Sequence, residues 1–89
     1  MTRVIAPFKN FTFQQSVYVF NEDNECIETF FTTTDGYISM IKSLTSKYSA
    51  DKIELIGNED YLKQCKAELL TQFENNDIEI EIKGVIYYG

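Results

Sequence analysis

The chain has 89 residues, of which 44% are hydrophobic, and it carries a net charge of −6. This length and composition predict one folded domain, residues 1–89, with a single modest core. The excess of acidic residues disfavours binding to nucleic acids or anionic membranes, because a protein that binds them needs clustered cations. No apolar run approaches the roughly 18 residues of a membrane span.

The N-terminal part of the chain predicts a β-hairpin. Residues 11–20, FTFQQSVYVF, alternate in the manner of a strand, and CIETFFTTT at 26–34 predicts the returning strand. The polar residues 21–25 predict the turn between them. Whether residues 3–8 form a further strand is not decided by the sequence pattern. Such a strand should lie at an edge or end at Pro7, because proline cannot donate a hydrogen bond to a sheet.

Two helices with a strand between them are predicted for the middle of the chain. Apolar residues spaced by three and four indicate each helix, with Thr34 or Asp35 expected to cap the first and Asn58 the second. DKIELIG at 51–57 has few polar breaks, which is typical of an interior parallel strand. The first helical stripe contains Tyr37, Met40, Ile41, Leu44 and Tyr48, and the second contains Leu62, Cys65, Leu69 and Phe73.

The last predicted strand lies in DIEIEIKGVIYYG, residues 77–89, where isoleucine alternates with charged residues up to Gly84. Strict alternation indicates one buried and one wet face, so helices should cover mainly one face of the sheet. We therefore predict an α/β (α+β) fold: a two-layer mixed sheet in which an N-terminal antiparallel hairpin is followed by a βαβαβ arrangement.

This order of elements, from about residue 11 to residue 83, resembles the ribonuclease H-like fold, in which an antiparallel hairpin unit leads into a parallel strand–helix–strand portion. The resemblance raises two-metal nuclease chemistry, which needs carboxylates converging on metals about 4 Å apart. In such enzymes an aspartate lies within the first long strand, whereas residues 14–20 contain no acid. The chain also lacks histidine, so common zinc sites and histidine-based catalysis are excluded. We expect no catalytic residue, metal or cofactor.

The two cysteines, Cys26 and Cys65, fit reduced thiols in the core, with a disulfide or a reactive thiol as the alternative. The first residues lack the continuous apolar stretch and cleavage site of a signal peptide. Together these features predict a cytoplasmic location.

Some aromatic residues are expected on the open sheet face or at an edge, because neighbours in a strand point to opposite faces. Exposed aromatic area usually marks contacts. Val85–Tyr88 carries no charge that would protect a strand edge, so this segment either pairs with another chain or folds back onto its own sheet. Six aromatic residues cannot all face the helices: Tyr18, Phe20, Phe30, Phe31, Tyr87 and Tyr88. The predicted interaction surface consists of Tyr18, Phe20, Phe30, Val85, Ile86, Tyr87 and Tyr88.

These observations favour a non-enzymatic protein-interaction module that binds either a second copy of itself or a basic protein partner. A small accessory or inhibitor protein, such as phages encode, fits the size and charge. Two alternatives stay open: a degenerate ribonuclease H-like nucleic-acid-processing domain without its acids, and a small-ligand sensor with an aromatic pocket. We expect the intact chain to be a homodimer at micromolar concentration and a folded monomer without residues 85–89.

Overall fold

Five strands and two helices make up the part of the chain that the computed structural model describes, residues 2–8, 14–73 and 77–84. In chain order they are β1 (Arg3–Pro7), β2 (Gln15–Phe20), β3 (Cys26–Thr32), α1 (Tyr37–Lys47), β4 (Lys52–Ile56), α2 (Glu59–Phe73) and β5 (Glu79–Lys83). They form one domain around a mixed sheet with the strand order β3-β2-β1-β4-β5. The predicted fold class is therefore confirmed.

The sheet combines an antiparallel half and a parallel half. β2 pairs antiparallel with both β1 and β3, whereas β4 pairs parallel with both β1 and β5. An antiparallel unit thus leads into a parallel strand–helix–strand portion, as the predicted fold class requires.

The segment 3–8, which the sequence left open, contributes the central strand β1. Its pairing with β2 runs only from Arg3 to Ile5, while its pairing with β4 continues to Pro7. β1 satisfies the predicted condition because it ends at Pro7, beyond the last residue that pairs with β2, so the missing N–H breaks no hydrogen bond to that strand.

The polar hairpin turn is confirmed between β2 and β3. Asn21 accepts hydrogen bonds through its Oδ1 from the backbone N–H groups of Asp23 and Glu25, both at 3.0 Å. Asn24 completes the turn with a φ of 64°, a conformation that asparagine tolerates well. The predicted start of the first hairpin strand, residues 11–13, lies outside the described residues.

The predicted side-chain cap of α1 is wrong. Gly36 occupies the N-cap position, and it makes no side-chain capping bond. A turn precedes the helix instead, in which the Gly36 N–H bonds the Thr33 carbonyl at 3.1 Å and the Tyr37 N–H bonds the Thr34 carbonyl at 3.2 Å. This turn also ends β3 at Thr32, two residues earlier than the sequence predicted.

The cap of α2 is as predicted. The Oδ1 atom of Asn58 accepts the N–H of Asp60 at 2.9 Å and that of Tyr61 at 3.4 Å. Two of the backbone donors left free at the helix start are thereby satisfied. Asn58 is therefore the residue at which the α2 helix begins.

Both helices pack on the same face of the sheet, as the alternation in β5 predicted. The predicted stripe of α2 is buried throughout, and Ile80 of β5 is buried beneath it. The two-layer core comprises Val4, Ala6, Phe8, Val17, Val19, Tyr37, Ile41, Leu44, Ala50, Ile53, Leu55, Leu62, Cys65, Leu69, Phe73 and Ile80.

The cysteines differ in their surroundings. Both are free, but only Cys65 is buried; Cys26 is exposed at the start of β3, so its predicted place in the core is wrong. A register irregularity between Val19 and Phe20 leaves Cys26 opposite Phe20. Neither described helix is long and apolar enough to cross a membrane.

Candidate interaction surface

The sheet face opposite the helices, called here the open face, is divided into an apolar half and a charged half. The registers place Thr29, Tyr18, Ile5 and Glu54 in one row across β3, β2, β1 and β4. Aromatic and aliphatic side chains therefore lie toward β3, and ionised side chains lie toward β5. The division arises because β2 has no charged residue and β3 has one, whereas β4 and β5 alternate charged with aliphatic residues.

The apolar half contains three aromatic side chains that no described helix covers. Tyr18 and Phe20 of β2 are half-buried, and Phe31 of β3 is 60% exposed. We call these three residues the open-face patch. Backbone pairing holds them on rigid strands, so the rings present a surface that needs little ordering before it binds.

Arg3 joins the two halves of the open face. Its guanidinium carbon lies 5.4 Å from the centre of the Phe20 ring, within the range of a cation–π contact. The same side chain donates one hydrogen bond to Glu54 at 3.1 Å and another to Asn24. The position of the Phe20 ring within the open-face patch is thereby coupled to the charged half.

The charged half forms a paired network. Glu54 is only 2% exposed and lies between the cations of Arg3 and Lys83. Lys52 and Glu81 form a second pair at 2.8 Å, and their hydrogen bond raises the pKa of Lys52 and lowers the pKa of Glu81. These cations are therefore already engaged by carboxylates, which disfavours the binding of phosphate groups to this face.

The structure brings only part of the predicted interaction surface together. Tyr18 and Phe20 lie on the open face, but Phe30 lies on the helical face, opposite buried Val17, and packs against the core. Its neighbour Phe31 occupies the open face instead. The predicted residues Val85–Tyr88 lie outside the described residues.

Sequence reasoning missed Ile27, which is 45% exposed on β3, and it assigned Phe30 rather than Phe31 to the interaction surface. The available signal was the alternation along CIETFFT, which shows that Phe30 and Phe31 face opposite ways. Which of the two faces the helices is decided by the register between β3 and β2, and that register is not visible in the local pattern.

An aromatic cluster fills the carboxyl end of the parallel strands, where ligands commonly bind in α/β sheets. The ring centre of Phe8 lies 5.1 Å from that of Tyr37 and 4.4 Å from that of Tyr61. The Tyr37 hydroxyl donates a hydrogen bond to the Ala6 carbonyl. These rings are packed against one another, so they stabilise the core and do not form an open aromatic cage.

Burial governs the ionisation of this cluster. It raises the pKa of Tyr37 above its ordinary range, and it raises the pKa of Tyr61 to about 12, with a smaller contribution from Cys65. Burial also raises the pKa of the Cys65 thiol, although its hydrogen bond with Tyr61 acts in the opposite direction. At neutral pH all three groups are protonated, and Cys65 has little thiolate with which to react.

A shallow cleft of about 330 Å³ lies at the other end of the molecule, near the C-terminal end of α1. The partial negative charge of that helix end, together with Asp51 and Asp77, disfavours anionic ligands there. The residues lining the cleft are Thr45, Ser46, Ser49, Ala50, Asp51, Phe73, Asp77 and Ile78. Within ranges 2–8, 14–73 and 77–84, no three acidic or cysteine side chains are grouped so that they could hold a metal ion.

No protein-family model matches this sequence, and no curated protein sequence matches it. Function therefore has to be inferred from the chemistry of the molecule's own surfaces.

Proposed function

We propose that this protein is a non-enzymatic interaction module that binds another protein through the apolar half of its open face. The observation that carries the proposal is the open-face patch, in which Tyr18, Phe20 and Phe31 lie on the sheet face that the described helices leave uncovered. Aromatic residues are enriched in protein interfaces and in the residues that dominate binding energy.

The distribution of apolar area supports this proposal. Phe31 keeps more than half of its surface in contact with water, although burying a phenylalanine side chain is worth roughly 1.5–3 kcal/mol. A partner that covers the exposed 60% of this residue would gain the corresponding part of that free energy, and the neighbouring Tyr18 offers a hydroxyl for a directed hydrogen bond. The charged half would form the polar rim of the same interface.

Charge narrows the class of partner. The chain carries a net charge of −6, so long-range attraction favours a protein with a basic surface, and a second copy of the chain would have to overcome repulsion by local contacts. A cytoplasmic accessory or inhibitor protein, including one of phage origin, fits a module of this size and charge.

Capture of a partner from an extract of the native cells tests the proposal. The wild-type protein and two single variants, Phe31→Ser and Leu70→Ser, are immobilised and compared. Leu70 is the matched control because it is 45% exposed on α2, on the helical side of the domain. Far-UV circular dichroism first establishes that all three proteins are folded.

We expect wild type and Leu70→Ser to retain the same protein and Phe31→Ser to lose it. Phe20→Ser should weaken the retention as well, because Phe20 shares the patch. If all variants retain the protein equally, the open-face patch is not the binding surface. If the wild type retains no protein at micromolar bait concentration, the interaction role itself is contradicted.

A further inference from the structure

The outer strand β3 has the features of a strand that pairs with another chain. Among the described strands it pairs only with β2, so its other edge presents backbone N–H and C=O groups without a strand beside it. Its seven residues include one charged side chain, Glu28, and two of the exposed large hydrophobics, Ile27 and Phe31. Edges of this kind recruit a further strand.

We propose that a second copy of this chain pairs antiparallel with β3, about a two-fold axis that passes through Thr29. The proposal rests on the protein-binding role proposed above and names the partner for one edge of that surface. It places the dimer contact on β3, whereas the sequence pattern had placed it in residues 85–89.

The register follows first from the length of the strand. Thr29 is the midpoint of Cys26–Thr32, and pairing centred on Thr29 uses the central residues of the strand, with the register irregularity against β2 confined to its first end, between Cys26 and Glu28. In this register, Ile27 of each copy lies opposite Phe31 of the other. The two most exposed apolar side chains of the strand thereby cover each other, and cross-strand pairs of an aromatic with a β-branched residue are favourable.

The helical face provides charge complementarity in the same register. Glu28 lies opposite Phe30 of the second copy, and the Nζ atom of Lys47 is 5.9 Å from the centre of the Phe30 ring in its own chain. The carboxylate of each copy therefore comes within reach of Lys47 of the other. Among the described residues neither Glu28 nor Lys47 forms an ion pair within its own chain, so both charges are available.

Neighbouring registers that keep both helical layers on one side are electrostatically worse. Pairing centred on Glu28 places the two Glu28 carboxylates opposite each other, which is destabilising. Pairing centred on Phe30 brings the two Lys47 side chains together and moves both glutamates away from them. The centre on Thr29 is the register that pairs opposite charges, and it also joins the two open-face patches into one continuous surface.

Sedimentation equilibrium of the full chain at micromolar concentration tests the inference, with circular dichroism as the check on folding. Wild type should have twice the monomer mass of 10.4 kDa. Thr29→Lys should be a folded monomer, because two lysines would meet on the symmetry axis. Glu28→Lys and Lys47→Glu should each weaken the dimer about tenfold, and the double variant should regain wild-type association. Lys63→Glu on α2 is the control with the same change in net charge as Lys47→Glu, and it should leave association unchanged.

Three outcomes would overturn the inference. A monomeric wild-type chain would exclude self-pairing, and if that monomer still captures a partner through Phe31, the proposed function survives. A dimer that persists in Thr29→Lys but dissociates when residues 85–89 are removed would place the contact at the C-terminal segment. A dimer that the double charge exchange fails to restore would contradict the register.

Discussion

Replacing Gly57 by alanine should strongly destabilise the fold. Gly57 follows β4 with a φ of 143°, a region that residues with a side chain rarely adopt. A Cβ atom there would lie 2.6 Å from the backbone carbonyl oxygen of Phe8. Real Cβ contacts are not this short, so the backbone at Phe8 would have to move.

The surroundings leave little room for that movement. The Phe8 N–H bonds the Ile56 carbonyl at 2.7 Å, and the Gly57 N–H bonds the Lys83 carbonyl at 3.2 Å. The Phe8 ring also packs between Tyr37 and Tyr61. The left-handed conformation costs about 1–3 kcal/mol for alanine, and the steric overlap adds about 1–3 kcal/mol. The total is about 2–6 kcal/mol, a large fraction of the roughly 5–15 kcal/mol that stabilises a typical domain.

Urea unfolding followed by far-UV circular dichroism measures this loss, and thermal unfolding should show a melting temperature lowered by at least about 10 °C. Gly84→Ala is the matched control, because a Cβ at Gly84 meets no atom within 4 Å. It should change the free energy of unfolding by less than about 0.5 kcal/mol. A Gly57→Ala protein within about 1 kcal/mol of wild type would refute the reasoning, since it would show that the junction after β4 relaxes freely.

Asn58→Ala should lower the free energy of unfolding by about 1 kcal/mol because it removes the α2 cap, whereas Asn58→Asp should retain most of that stability. Urea unfolding measures both variants. Equal stability of the alanine variant and wild type would show that the cap contributes nothing. The folded-state pKa of Tyr61, about 12, lies above its ordinary 10.0, so its contribution to stability is present below pH 10 and is lost as the pH rises toward 12. Melting temperatures across that interval should fall less steeply for Tyr61→Phe than for wild type, and parallel curves would contradict this assignment. Cys65→Ala should lower the free energy of unfolding by about 1–2 kcal/mol because the thiol is buried, whereas exposed Cys26→Ala should change it by less than about 0.5 kcal/mol. Protein purified without reductant should migrate identically with and without reducing agent, and a mobility difference would reveal a disulfide.

Local patterns in the sequence identified the described elements from β2 to β5 and their order, but not β1. The three- and four-residue spacing in α2 identified its buried stripe, and the position of Asn58 identified its start, because both features act within one or two turns of helix. The alternation in β5 likewise identified a sheet with one wet face, since the orientation of side chains along a strand has a period of two residues.

Only the tertiary structure decided what depends on the pairing between distant segments. Residues 3–8 became the central strand because β2 and β4 both pair with them, and no pattern within RVIAPF specifies that position. The exposure of Cys26 and the choice of Phe31 over Phe30 follow from the register of β3 against β2. A shift of one residue in that register would exchange the two phenylalanines between the core and the open face, so the proposed interaction surface is set by pairing across the sheet, while the side chains available for it are set by the sequence.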